Sequence, residues 1–257
     1  MKKKNFKIIW YNFYYPLTLQ FKKSLKEFFF YILKSLEIKT HEEKEVVDFY
    51  LHEYRSYQEY KKLQVFHNRR KIKKVFADEK TLKRVANVLL KEFEGVNKIK
   101  GLCHGSRNGF EQNFLRSISQ KFEVIGTDIS ATANDYENSI VWDFHDIYEE
   151  WVGKNEFIYT NSLDQSWQPK IALQTWFAQL KPEGILVIEH TNSHSPRNAS
   201  KIDPFGVRPT VMPYILTMWF GHQISIQHSV DKKENGKKMD AWLFFIKKNV
   251  EDVYLLN

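Results

Sequence analysis

The 257-residue sequence contains one cysteine, ten glycines and seven prolines. A single Cys103 excludes an internal disulfide framework and any zinc site built on clustered cysteines, so a reducing compartment is expected. No apolar run approaches the roughly 20 residues of a membrane-spanning helix. None exceeds the length of Phe28-Phe29-Phe30-Tyr31-Ile32-Leu33. Met1-Lys2-Lys3-Lys4 is basic like the start of a signal peptide, but Lys7, Asn12 and Pro16 interrupt the next stretch and no small-residue cleavage site appears. The expected location is cytoplasmic. Missing too is a glycine-rich loop ending in Lys-Ser/Thr, which excludes a P-loop nucleotidase, and any Gly-x-Ser-x-Gly elbow, which argues against a serine hydrolase. His104, His145, His190 and His194 lack tight ligand spacing, so no metal site is expected.

Charge is present but uneven. Residues 1–100 carry a net +12 and residues 101–257 a net −4, within a total of +8. The basic half, densest at Asn68-Arg69-Arg70-Lys71-Ile72-Lys73-Lys74, is able to attract nucleic acid, lipid headgroups or acidic glycans without sequence specificity. It is equally well read as a solvated helical face. Helical spacing of apolar residues predicts helices over 19–36, 42–60 and 78–93, the last capped by Asp78. Lys2 to Lys4 and the Trp10/Tyr11/Phe13/Tyr14/Tyr15 cluster would suit a peripheral membrane contact, or packing on a neighbouring domain. A boundary is expected at Gly95-Val96-Asn97, dividing a basic helical region, 1–95, from an α/β domain, 96–257.

From Lys98 onward short apolar stretches alternate with turns and helices, the pattern of a parallel α/β sheet. Strand 98–104 leads into Gly105-Ser106-Arg107-Asn108-Gly109 and then a helix through Phe110, Phe114, Leu115 and Ile118. A glycine turn between strand and helix lets a ligand approach the backbone and aims helix N–H groups at it. The next strand, Phe122 to Asp128, ends in an acid 19 residues after Gly109, a spacing that suits hydrogen bonds to ribose hydroxyls. Strands at 223–227 and 241–246, joined by the short loop 231–239, must pair antiparallel, because a parallel pair needs a long crossover.

On these residues, the stretch 98–248 resembles the class I S-adenosylmethionine (SAM)-dependent methyltransferases, in a bacterial subgroup of unknown acceptor. Their first motif, acid-x-Gly-x-Gly-x-Gly, falls on Cys103-His104-Gly105-Ser106-Arg107-Asn108-Gly109. Gly105 and Gly109 match, whereas Cys103 replaces the acid that usually orients the SAM amino group, and Arg107 replaces the middle glycine. The resemblance implies a Rossmann-like, seven-stranded, mostly parallel sheet with a C-terminal antiparallel hairpin. It also implies SAM as cofactor, with Asp128 at the ribose, Ile129 as a further cofactor contact, Asp143 and Phe144 at the adenine, and Asn161 beside the methyl-donor sulfur. Leu180-Lys181-Pro182-Glu183-Gly184 resembles the turn into the fifth strand, with Glu183 where glycine is usual.

Methyl transfer is an in-line displacement, and an oxygen acceptor benefits from a general base. Asp164 and His190 are the candidate catalytic residues; His194, Asp203, Glu189 and, more weakly, His145 also lie near the ends of predicted strands. Segment 191–221 would form an acceptor lid, with Phe205, Pro209, Met212, Tyr214, Met218 and Trp219 lining a pocket or packing in the core. The expected function is methylation of a small molecule or glycan at oxygen. Alternatives are a catalytically degenerate SAM- or partner-binding protein and a nucleic-acid methyltransferase using the basic region. The latter ranks third, because the Asn/Asp-Pro-Pro-aromatic motif is absent and Asn161-Ser162-Leu163-Asp164 stands in its place.

Overall fold

The computed structural model describes residues 49–232 and 240–249. The helix expected at 19–36, the aromatic cluster at 10–15 and most of loop 231–239 lie outside them. Seven strands form one sheet: β2 (Ile99–His104), β3 (Phe122–Asp128), β4 (Ser139–Val141), β5 (Asn155–Thr160), β6 (Leu180–Thr191), β8 (Ile224–Lys232) and β9 (Asp240–Lys248). Their order is β4-β3-β2-β5-β6-β9-β8. Neighbours from β4 to β6 are parallel, while β9 runs antiparallel to both β6 and β8. The expected parallel sheet with a reversed hairpin is therefore observed. All six residues of β5 are buried, as a strand covered on both faces by helices requires.

One hydrophobic cluster, with Leu102, Ile158, Trp176, Leu186 and Phe244, also takes in α4 (Pro169–Gln179) and α5 (Met212–Phe220). The other holds Ile99, Val124, Phe157 and Val187 together with α2 (Glu79–Glu92) and α3 (Phe110–Ile118). Asp78 caps α2 as expected, its carboxylate accepting from the Lys80 and Thr81 N–H groups at 3.0 and 3.4 Å. Leu82, Val85, Ala86 and Leu89 of α2 are fully buried in the same hydrophobic cluster as sheet residues.

The helix expected over 42–60 is not formed over residues 49–56. Phe49–Leu51 is a strand, β1, paired antiparallel with β7 (Phe205–Val207), and helix α1 spans Tyr57–Arg70. Two local causes act together. Ser56 is extended (φ −161°) and its hydroxyl accepts from the Glu59 N–H at 3.2 Å, starting the helix there. Phe49 and Leu51 face inward on a two-residue period, and Phe49 packs against the rings of Phe205 and Trp219.

The segment 191–221 is not an aromatic lid. Phe205 and Met212 are buried in the core, Trp219 packs against it, and Tyr214 and Met218 point outward. The backbone demand at two replaced glycines persists: Arg107 has φ +47° and Glu183 φ +64°. A side-chain-bearing residue in this left-handed region costs roughly 1–2 kcal/mol.

Candidate active site

Strand β2 lies between β3 and β5, so chain direction through the sheet reverses there and a crevice opens beyond the strands' carboxyl ends. Two adjoining cavities occupy it. A narrow slot of about 30 Å³ is bordered by Gly105, Arg107, Asp128, Ile129, Asp143 and Phe144, and is roofed by Tyr60, Gln64 and Asn68 of α1. A larger cavity of about 480 Å³ shares Gly105, Arg107, Lys71, Gln165 and Asp203 with the slot and reaches Glu111, Asn161, Asp164, Glu189 and His194.

The turn after β2 borders both cavities through Gly105 and Arg107. Gly105 has φ +75°, and a Cβ there would lie 2.5 Å from the Ser162 Cβ, so only glycine fits. Gly109, also at φ +75°, begins α3 and lines a shallower surface groove instead of the slot. Cys103 is 1% exposed within the core and borders neither cavity. Its thiol is pushed well up, first by burial and then by the charge of Glu111.

Asp128 and Asp143 stand on the same slot, both at most 9% exposed. Asp128 Oδ1 accepts from the Ser130 N–H at 2.8 Å. Burial raises its carboxyl above the usual range against the pull of the Ser130 and Arg107 N–H groups and the Arg107 charge. Asp143 is held on both oxygens: Oδ1 lies 2.7 Å from His145 Nδ1, and Oδ2 accepts from the Tyr57 hydroxyl at 2.7 Å. Burial opposes ionisation, but the hydrogen bonds and charge of His145 and the Tyr57 hydroxyl hold Asp143 below its ordinary value. His145 Nε2 in turn meets Ser166 Oγ at 2.7 Å, so His145 positions Asp143 from beneath. Phe144 stands edge-on to Trp176 at 5.3 Å.

Of the two candidate catalytic residues, Asp164 lines the larger cavity and His190 does not. Asp164 is 5% exposed, its Oδ1 has no hydrogen-bond partner, and burial pushes its carboxyl up to about 7. His190 is 1% exposed, with Nε2 2.8 Å from the Val207 carbonyl oxygen and Nδ1 3.3 Å from His194 Nδ1. Burial, then the neighbouring His194, lowers it to about 3, so it is neutral. Donation from Nε2 to the carbonyl leaves a lone pair on His190 Nδ1, which fixes the proton of the His194 Nδ1 toward it. His194 then directs Nε2 at Asp164 Oδ2, 3.8 Å away. His190 thus lies behind His194, and of the two only His194, beyond the strand end, lines the cavity. His104 is likewise internal, bonded to Thr127 and Gln179 and lowered to about 4 by burial.

Three contributors were not expected from the sequence. Glu111 resembles any helix-surface acid by spacing, yet it is 7% exposed on the cavity wall. The polar stripe Tyr60, Gln64 and Asn68 falls at four-residue intervals, the one pattern that points to a buried polar face of α1. Lys71 belongs to the basic run, yet it lines both cavities.

No protein-family model matches the chain, and no curated protein matches it in sequence. Solved structures do match in fold. The 1,6-didemethyltoxoflavin-N1-methyltransferase of Burkholderia thailandensis, with bound 1,6-didemethyltoxoflavin and S-adenosylhomocysteine, superposes with a TM-score of 0.59 at 10% identity, over 77% of this chain and 93% of that one. The plantazolicin methyltransferase BamL, in complex with a desmethyl-plantazolicin analogue and S-adenosylhomocysteine, gives 0.56 at 12% identity, over 75% and 98%. The [4+2]-cyclase SpnF gives 0.50 at 10% identity, over 65% and 80%. The fold is that of the class I SAM-dependent methyltransferases. SpnF is a reminder that this fold alone does not determine the reaction.

Proposed function

We propose that the protein is a SAM-dependent methyltransferase acting on a small-molecule or glycan acceptor at oxygen. The observation that carries this reading is one continuous crevice. In it, a glycine turn at φ +75° and two strand-end acids, Asp128 and Asp143, border a slot that opens beside the buried, unpartnered Asp164 carboxylate oxygen. Two structural neighbours that hold S-adenosylhomocysteine together with a small-molecule ligand support it.

The residues present fit the cofactor. Asp128 would accept from the ribose hydroxyls, Asp143 from the adenine amino group, and Phe144 and Ile129 would line the base. Bound there, SAM supplies an electrophilic methyl group on a sulfonium. The chain's part is alignment and proton removal. Asp164, whose carboxyl sits at about 7, would accept the acceptor's hydroxyl proton, with His194 turned toward it by His190. Phe76 and Val75 add apolar wall to the acceptor side.

Helix α1 must move for a nucleoside to enter. The slot's 30 Å³ holds only about one or two waters, and the Tyr57 hydroxyl already occupies Asp143 Oδ2. Removing that hydroxyl by Tyr57→Phe is expected to tighten S-adenosylhomocysteine binding roughly 10- to 150-fold, the worth of one hydrogen bond to a charged group. Weaker binding in this variant would refute the gating role.

The reading itself is tested by titration calorimetry with SAM and S-adenosylhomocysteine on wild type and Asp128→Ala. Binding in the wild type, cut roughly 100-fold or more in the variant by loss of a charge-assisted contact, is the expected result. Absence of wild-type binding to either compound sinks the enzyme reading. It would favour a second one, a methyltransferase fold that holds a partner without turnover, to which the narrow slot and the Arg107 replacement also point.

A further inference from the structure

Two side chains of opposite charge line the larger cavity at the strand–turn–helix corner. Arg107 lies on the turn and Glu111 in the first turn of α3. Among the described residues, neither makes an ion pair with the other or with a third group. The Arg107 guanidinium packs against the Phe76 ring, Cζ 4.8 Å from its centroid. Glu111 is buried and its Oε2 has no hydrogen-bond partner. A buried carboxylate oxygen without a donor is unfavourable, and the half-buried guanidinium feels Asp128, Glu111, Asp164 and Asp203 without pairing with any of them at contact distance, so each gains when a ligand brings a direct complement. A ligand that is only cationic or only anionic satisfies one and confronts the other. A zwitterion satisfies both.

The backbone adds an independent observation. Arg107 keeps φ +47°, a conformation that glycine would adopt without strain, so the guanidinium is present at a conformational cost. Asn161 Nδ2, on the same cavity wall, makes no full hydrogen bond but lies close enough to the Glu111 carboxylate to favour its ionised form. The Glu111 carboxylate also lies close enough to the end of β2 for its charge to act on the Cys103 thiol.

We propose that Arg107 and Glu111 form a zwitterion site for the aminoacyl arm of the cofactor, Glu111 receiving the ammonium group and Arg107 the carboxylate. The assignment rests on the cofactor reading above. It makes the arginine on the glycine turn a binding residue and not a sign of decay. Burial pushes the Glu111 carboxyl up to about 7, with Arg107 opposing and Glu189 reinforcing the change, so an incoming ammonium group would also favour its ionised form.

The test compares S-adenosylhomocysteine with 5′-methylthioadenosine, which lacks the aminoacyl arm, by calorimetry on the full chain. Glu111→Gln preserves shape, and Arg107→Gly removes the guanidinium while relieving the strained φ, so neither threatens the fold. The wild type should prefer S-adenosylhomocysteine, and each variant should lose roughly 10- to 100-fold of that affinity while 5′-methylthioadenosine binding stays unchanged. Equal loss for both ligands, no loss for S-adenosylhomocysteine, or tighter binding in Arg107→Gly would each overturn the site. If the wild type binds both ligands equally, the zwitterion site falls and the cofactor reading stands. If it binds neither, both fall.

Discussion

Asp164→Asn should become progressively more stable than the wild type as pH rises from about 5 to about 8. In the unfolded chain Asp164 loses its proton near its ordinary value of 3.8, whereas burial keeps it protonated in the folded protein until about 7. Between those values the unfolded state binds fewer protons than the folded state, so this group's contribution to wild-type stability falls with rising pH and is fully lost above about 7. Asparagine has no such dependence. A tenfold change in proton affinity is worth about 1.4 kcal/mol, so the difference between the two proteins should grow by about 2–4 kcal/mol over the range. His104 and His190, lowered to about 4 and about 3, titrate in the opposite sense, but they are common to both proteins and cancel in the comparison. Urea unfolding of both proteins at several pH values measures the difference. A difference that does not vary with pH would exclude Asp164 as a proton acceptor poised near neutrality.

Trp176→Ala should be the most damaging single core substitution near the site, costing roughly 3–5 kcal/mol of the 5–15 kcal/mol that a domain typically possesses. Trp176 is fully buried, its ring stacks on His104 with centroids 5.4 Å apart, and its N–H donates to the Phe144 carbonyl at 3.0 Å. The truncation therefore opens a cavity and leaves a buried carbonyl without its donor. Trp176→Phe separates the two effects, because it restores most of the packing and none of the hydrogen bond. Denaturant midpoints of the two variants should rank wild type above Phe and Phe above Ala. Equal midpoints for wild type and Ala would mean that this layer does not support the Phe144 wall of the slot.

Sequence-local signals carried far for the fold and less far for the site. The strand ending at Asp128, the turn from Gly105 to Gly109 and the cap at Asp78 were legible because each depends on neighbours a few residues away. Placement at the cavity differs between His190 and His194. One lies near the end of β6 and the other just beyond it, yet the first turns inward to the Val207 carbonyl and the second reaches toward Asp164. No spacing rule distinguishes them, since the choice is made by a partner strand that arrives later in the chain. The helix expected over 42–60 failed for the same reason: Phe49 and Leu51 satisfy helical and extended patterns alike, and pairing with Phe205 and Val207 decides between them.

By itself, then, the sequence determined the parallel sheet, its reversed hairpin and the glycine turn with its strand-end acid, because periodicity, loop length and backbone freedom are short-range properties. Tertiary structure alone decided which charged groups are buried. Glu111 and Asp164 owe their raised carboxyls to desolvation by segments distant in sequence, and Asp143 owes its occupied oxygen to Tyr57 on a helix that precedes the sheet. Desolvation depends on everything packed around a group, and that is known only once the chain has closed over it.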